Sequence, residues 1–256
     1  MRAWRQRMAT AVALAGLLAS VPATVQAQDG SPQAAAPVDL DGYWVSLVTE
    51  DWRFRMLTAP VGDTASLPLN DEGQRVAEAW DPAADVEAGL ECKAYGAGGI
   101  MRMPTRLRIS WEDADTLLIE TDAGEQARRF HFGGTPPAGT ADGWQGYSVA
   151  EWEGFDAGQG EALGEGDPSG SLKVVTTSMR EGYVRRNGAP YSDQATMLEY
   201  LDVVGGPGDI EYLVVLTRLE DPVYFDDPLM VSTHFRREAD GSDWNPQPCQ
   251  VTLPVR

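Results

Sequence analysis

His131 and His234 are the only histidines in the chain and the side chains best suited to acid–base chemistry near neutral pH. Each lies in an apolar, strand-like stretch, RRFHF (128–132) and HFRR (234–237), and each is followed by phenylalanine. A catalytic or metal-binding role needs both rings on one wall beside a carboxylate, for which Glu151 and Glu199 are the candidates. The other reading is a hydrogen-bonded structural histidine in each strand. No H-x-H or H-E-x-x-H spacing occurs, so no metal is expected. There is no G-x-S-x-G elbow and no S-x-x-K. Ser232 precedes His234 by two residues and shares its strand face, without a clear third partner. Gly96-Ala97-Gly98-Gly99 lacks a Walker lysine and a following helix, so neither a phosphate cradle nor a cofactor is expected.

Arginine placement carries more information. The chain has 18 Arg and 2 Lys, and several arginines alternate, which puts Arg53 with Arg55 and Arg106 with Arg108 on single strand faces. One reading is a basic wall inside a cavity, suited to a carboxylate or sulfate. The other is an outer face of cross-strand Arg–Glu pairs using Glu120, Glu151 and Glu199. Trp44, Trp52, Trp111, Trp144 and Trp152 sit in or beside strands; most should be core, while Trp52 stands where it can line a barrel mouth.

The elements that must position these residues are mostly strands. Short β-branched and aromatic runs, separated by Gly, Pro, Asn and Asp, predict strands near 43–49, 52–57, 105–111, 116–121, 126–132, 146–152, 171–178, 196–204, 211–219 and 229–237. Asp113-Ala114-Asp115, Asp122-Ala123-Gly124 and the GGPG run at 205–208 read as hairpin connections. One short helix is predicted at about 71–80, capped by Asn70 or Asp71 and stopped by Asp81-Pro82, with a further turn possible to Glu87. The fold expectation is mainly β: an antiparallel, about ten-stranded, closed or nearly closed barrel, since so long a meander must hide its edges. Residues 154–170 are glycine-rich and acidic and read as a mobile insertion. Residues 180–194, with three arginines and two tyrosines, are either a lid over the barrel mouth or an ordinary connection held by Tyr183 and Tyr191.

Composition sets the outer limits. The 256 residues carry 39 acidic and 20 basic side chains, a net charge of −19. That balance argues against nucleic acid or an anionic membrane surface as partner. Arg2, Arg5 and Arg7 precede an apolar run from Met8 to about Ala23 and then Val25-Gln26-Ala27. This is the order of a signal peptide cleaved after Ala27, and the run is too short for a membrane span. Export to a periplasmic or extracellular space is therefore expected. Cleavage leaves 17 basic against 39 acidic residues, or −22. Residues 28–38 read as a flexible leader and 39–256 as one domain. In an oxidising compartment the only two cysteines, Cys92 and Cys249, are expected to form a disulfide.

Gly42-Tyr43-Trp44 at the first strand and Thr233-His234-Phe235-Arg236-Arg237 at the last are similar to the G-x-W start and final-strand arginine of lipocalins and related calycin barrels. The resemblance implies that Trp44 plugs the barrel floor, with Arg236 or Arg237 packed across its indole. A longer resemblance is to a broad group of secreted bacterial proteins, a domain of unknown function. It rests on Cys92 with Tyr95-Gly96 and Met101-Arg102-Met103-Pro104, on Ser148 with Trp152-Glu153-Gly154, on LKVVTT (172–177), on NGAPYS (187–192) and on Glu220-Asp221-Pro222. It covers nearly all of the mature chain and implies an exported barrel-like domain without an established activity. The leading functional expectation is a lipocalin-like binder of a small, partly apolar ligand, anionic where arginines line the cavity. Its candidate lining is Trp44, Trp52, Arg53, Arg55, Arg106, Arg108, Tyr147 and Arg236. The alternatives are an enzyme using His131 and His234, and an envelope module that meets a protein partner through loop 154–170.

Overall fold

The computed structural model describes residues 30–136, 138–139, 143–154 and 170–255. Residues 1–27, expected as a signal peptide, and most of the acidic insertion, 155–169, lie outside the described residues.

Nine strands close a barrel: β1 (Gly42–Leu47), β2 (Arg106–Asp113), β3 (Thr116–Thr121), β4 (Ala127–Phe132), β5 (Tyr147–Gly154), β6 (Gly170–Thr177), β7 (Thr196–Gly205), β8 (Glu211–Glu220) and β9 (Leu229–Glu238). Neighbours in sequence are neighbours in space, and β1 completes the ring by pairing with both β9 and β2. The expectation of about ten antiparallel strands is corrected on two points. First, β4 and β5 run parallel, with Phe130 opposite Ser148 and Phe132 opposite Ala150. Segment 133–146 is too long for a hairpin, and the chain re-enters the sheet at the end opposite to where it left. Second, the tenth strand, expected at 52–57, is the one-turn helix α1 (Trp52–Met56). The alternation in WRFRM suggested a strand. Tertiary contacts decide otherwise, since Arg55 Nε donates to the Arg102 carbonyl at 2.8 Å and Arg185 stacks on Phe54.

The strand phase fills the interior. Trp44, Leu107, Ile109, Leu117, Ile119, Phe130, Leu172, Val174, Leu201, Leu213, Val215 and Phe235 point inward and are almost wholly buried. One end of the barrel is closed by turns and by residues 30–41. Pro32, in the segment expected as a flexible leader, accepts there from Trp152 Nε1 at 2.8 Å, and Leu40, within the expected domain, accepts from Trp44 Nε1 at 3.0 Å. The Arg237 guanidinium lies 4.2 Å from the Trp44 ring centre. Arg236 is one residue out of phase and faces outward. The acidic insertion leaves and returns at this same end, because Gly154 pairs with Gly170.

Long connections build a cap at the other end. The helix expected at about 71–80 is α2 (Asp71–Glu78), with Asn70 accepting from the Gly73 amide at 2.9 Å. Asp81 caps the next helix, α3 (Pro82–Glu87). A 3₁₀ turn, Glu91–Tyr95, and the one-turn helix α4 (Ala97–Ile100) follow, the latter where no helix was expected. Together with residues 179–195 they enclose a second core of Met179, Val184, Tyr191, Met197, Leu219 and Phe225. Cys92 and Cys249 form a disulfide that ties the cap to the C-terminal segment. No helix among the described residues is long and apolar enough to cross a membrane.

Candidate functional site

Under the cap the apolar interior gives way to a polar layer. Arg128 shares the inward phase of Phe130, and its guanidinium meets the Glu199 carboxylate through two hydrogen bonds of 3.1 and 2.6 Å. Their side chains are 0% and 1% exposed. Thr176 lies 3.5 Å from the same guanidinium and shares a 2.8 Å hydrogen bond with Ser148. A space of about 10 Å³ beside Glu199, under Gly98 and Met101, is room for about one water. Among the described residues, buried inward side chains pack against one another around the barrel axis.

The paired histidines do not converge. His131 and His234 both face outward, on β4 and β9, with β3, β2 and β1 between them. His131 stacks on Tyr147 with ring centres 4.7 Å apart. Glu151 is on the outer face with Lys173, at 2.8 Å, and Glu199 is inside with Arg128. The physical reason is strand phase: an inward Phe130 and Phe235 put the adjacent histidines outside. His234 has other company. Its Nε2 shares a 3.2 Å hydrogen bond with Ser232, and its Nδ1 lies 3.6 Å from Glu50, the third partner that sequence reading did not find. Among the described residues no three His, Cys, Asp or Glu side chains gather as a metal site.

The candidate lining residues also divide by phase. Of that set only Trp44 faces the barrel interior. Arg106 pairs with Glu238 and Arg108 with Glu120 on the outer wall, because Leu107 and Ile109 take the inward positions. Tyr147 is outside against His131. Trp52 is largely exposed on α1, and Arg53 pairs there with Asp63 at 2.7 Å. Arg55, in a helix and not a strand, points the other way into the cap and is 3% exposed.

A larger space lies in the cap, a cleft of about 310 Å³ between α2–α3 and residues 181–191. Trp80, Tyr183, Tyr191 and Tyr224 wall it. Asp85 organises the floor: it accepts from Trp80 Nε1 at 2.7 Å and from the Tyr183 hydroxyl at 2.9 and 3.1 Å. Burial, and then the Asp85 charge, hold the Tyr183 hydroxyl well above the ordinary tyrosine range, so it stays a donor. Lys93 sits over the Tyr183 ring at 5.0 Å and pairs with Glu181 at 2.9 Å. Glycines allow this crowding. Gly188 has φ +83°, and a Cβ there would overlap Trp80, while side chains at Gly98 or Gly182 would strike the Tyr191 ring. The two tyrosines of 180–194 were visible in sequence as packing residues. Trp80 was visible only as the end of a helix, so the cleft they form together was not.

The chain matches no family model, no curated protein and no solved structure.

Proposed function

We propose that this is an exported, barrel-based binding protein whose ligand site lies in the cap and not along the barrel axis. The ligand is small and partly apolar. The observation that carries this reading is the 310 Å³ cleft walled by four aromatic rings around a hydrogen-bonded Asp85, a size and chemistry typical of small-molecule sites. Export is supported by the basic–apolar–small order of residues 1–27 and by the disulfide. The lipocalin-like reading is supported by the closed meander and by the stack of Arg237 on Trp44. Direct binding measurements with a panel of aromatic and alicyclic acids, alcohols and amides test it. A binder should quench tryptophan fluorescence, lose most of that signal in Trp80→Phe, and bind about tenfold more weakly to Tyr224→Ala. Calorimetry that finds no millimolar binder, or binders indifferent to both substitutions, removes the cleft as the site.

A second reading is favoured by one observation, the Ser232–His234–Glu50 alignment, in which histidine Nε2 faces the hydroxyl and Nδ1 the carboxylate, the polarity of an acyl-transfer triad. Glu50 is itself held by Arg55 at 2.7 Å. A fluorophosphonate probe should then label Ser232 in the native protein and spare Ser232→Ala and His234→Gln. Absence of labelling at pH 8 eliminates this reading.

A further inference from the structure

Arginines gather where α1, the turn after α4 and residues 184–186 meet, around a cavity that shares no lining residue with the aromatic cleft. Arg53, Arg55, Arg102, Arg185 and Arg186 face three carboxylates, and each carboxylate is already committed. Glu50 pairs with Arg55 at 2.7 Å, Asp51 with Arg102 at 2.9 Å and Asp63 with Arg53 at 2.7 Å. Arg186 donates to the Arg55 carbonyl at 2.6 Å. Arg185 has neither a carboxylate nor a carbonyl for its buried donors. Its guanidinium stacks on Phe54 at 3.9 Å, and its Nε and Nη1 are buried without a protein acceptor. Arg55 Nη2 is buried in the same condition. Arg55, Arg102 and Arg185 are only 3%, 8% and 5% exposed.

Burying a guanidinium without a counter-charge is strongly unfavourable, because the lost hydration is not replaced. Burial, followed by repulsion from Arg102, pulls the Arg185 pKa down to about 10, and Arg55 and Arg186 are also lowered by burial. The three arginines and Arg186 line one cavity with Phe54 and Met103, about 10 Å³ in volume, room for about one water or one oxygen of a larger anion.

We propose that this cavity is an oxyanion site, in which one oxygen of a carboxylate, phosphate or sulfate seats between Arg185 and Arg55 while the rest of the anion stays at the mouth. Guanidinium N–H groups match oxyanion oxygens, and the partial burial strengthens each contact. The site stands apart from the aromatic cleft and does not depend on it. With five arginines against three carboxylates the local excess is two positive charges, so the site favours an anion even in a strongly acidic protein.

Thermal unfolding of the whole protein at constant ionic strength, in sodium chloride, acetate, sulfate and phosphate, is the test. The three oxyanion arms separate an organic carboxylate from an inorganic source. At least one oxyanion should raise the midpoint by several degrees with a saturable, millimolar dependence. Arg185→Met, which keeps an apolar side chain over Phe54, should weaken that dependence at least tenfold and be more stable than the wild type in chloride alone. A shift that is unsaturable, equal in Arg185→Met, or equally produced by chloride overturns the proposal, as would a less stable Arg185→Met. Nitrogen NMR of the wild type gives a reading that needs no variant. The Arg185 Nε–H resonance should move saturably with the stabilising anion, and a resonance that stays still refutes the site.

Discussion

Glu199→Gln is expected to destabilise the protein by about 3–5 kcal/mol, measured as a lowered urea midpoint at unchanged slope. The reason is the state in which it leaves Arg128. That guanidinium is wholly buried, and among the described residues Glu199 is its only carboxylate partner and its Nε lacks an acceptor. The amide keeps one acceptor oxygen but turns the other into an NH2 donor facing the guanidinium, which leaves a cation in the barrel without a counter-charge and with Thr176 at 3.5 Å as its other neighbour. Joint replacement, Arg128→Met with Glu199→Leu, should recover most of the loss. Apolar side chains of similar length then extend the core, and Ser148 and Thr176 still satisfy each other at 2.8 Å. A loss below about 1 kcal/mol in the single variant would mean that water reaches this layer. A double variant no better than the single would mean that the pair sets packing and not just charge balance.

Removing the disulfide should have an effect of the same order. Cys92 and Cys249 are 157 residues apart in sequence, and closing so long a loop is worth up to about 5 kcal/mol on the chain-entropy model. Cys92→Ser with Cys249→Ser, or reduction of the native protein, should lower the unfolding midpoint accordingly. The contacts that remain to the C-terminal segment are a two-residue parallel pairing of Gln247 and Pro248 with Ala123 and Gly124, the Thr58–Thr252 hydroxyl pair, the Val255 amide on the Thr58 carbonyl at 2.9 Å and the following two. Tyr95 reaches Gln250 at 3.2 Å, and the Gln247 amide reaches the Asp122 carbonyl at 2.7 Å. Exposure of residues 247–255 to limited proteolysis should follow reduction. An unchanged midpoint would show that these contacts suffice.

Alternation and turn residues made nine of the strands legible, to within a residue or two. Asn70 and the Asp81-Pro82 pair marked the helix ends because capping is local chemistry. The stretch 52–57 failed for the opposite reason. Five residues carry too little pattern to resist contacts made from Arg102 and Arg185, which are distant in sequence. The parallel pair of β4 and β5 left no trace in the strands themselves, only in the length of segment 133–146. Faces were harder than elements. Arg106 and Arg108 alternate as an interior wall would, but their phase is set by Leu107 between them and Ile109 after them. Arg128 was legible in principle, since it stands in phase with Phe130 and so on the apolar side. The cap sites were not legible, because Trp80, Arg102 and Arg185 come from separate segments that only the closed fold brings together.

That closure has a kinetic meaning. Because β1 pairs with both β2 and β9, the first and last strands of the barrel are neighbours, with Trp44 opposite Leu107 on one side and Arg237 on the other. A chain made from its N-terminus can pair the intermediate strands as they emerge, but the ring cannot shut until β9 exists. Until then β1 and β8 offer open edges, and the apolar interior is reachable from solvent. Folding is therefore dominated by its longest-range contact, the slow limit for β topologies. Truncation before residue 229 should leave a sheet that neither closes nor stays soluble, whatever happens in the cap.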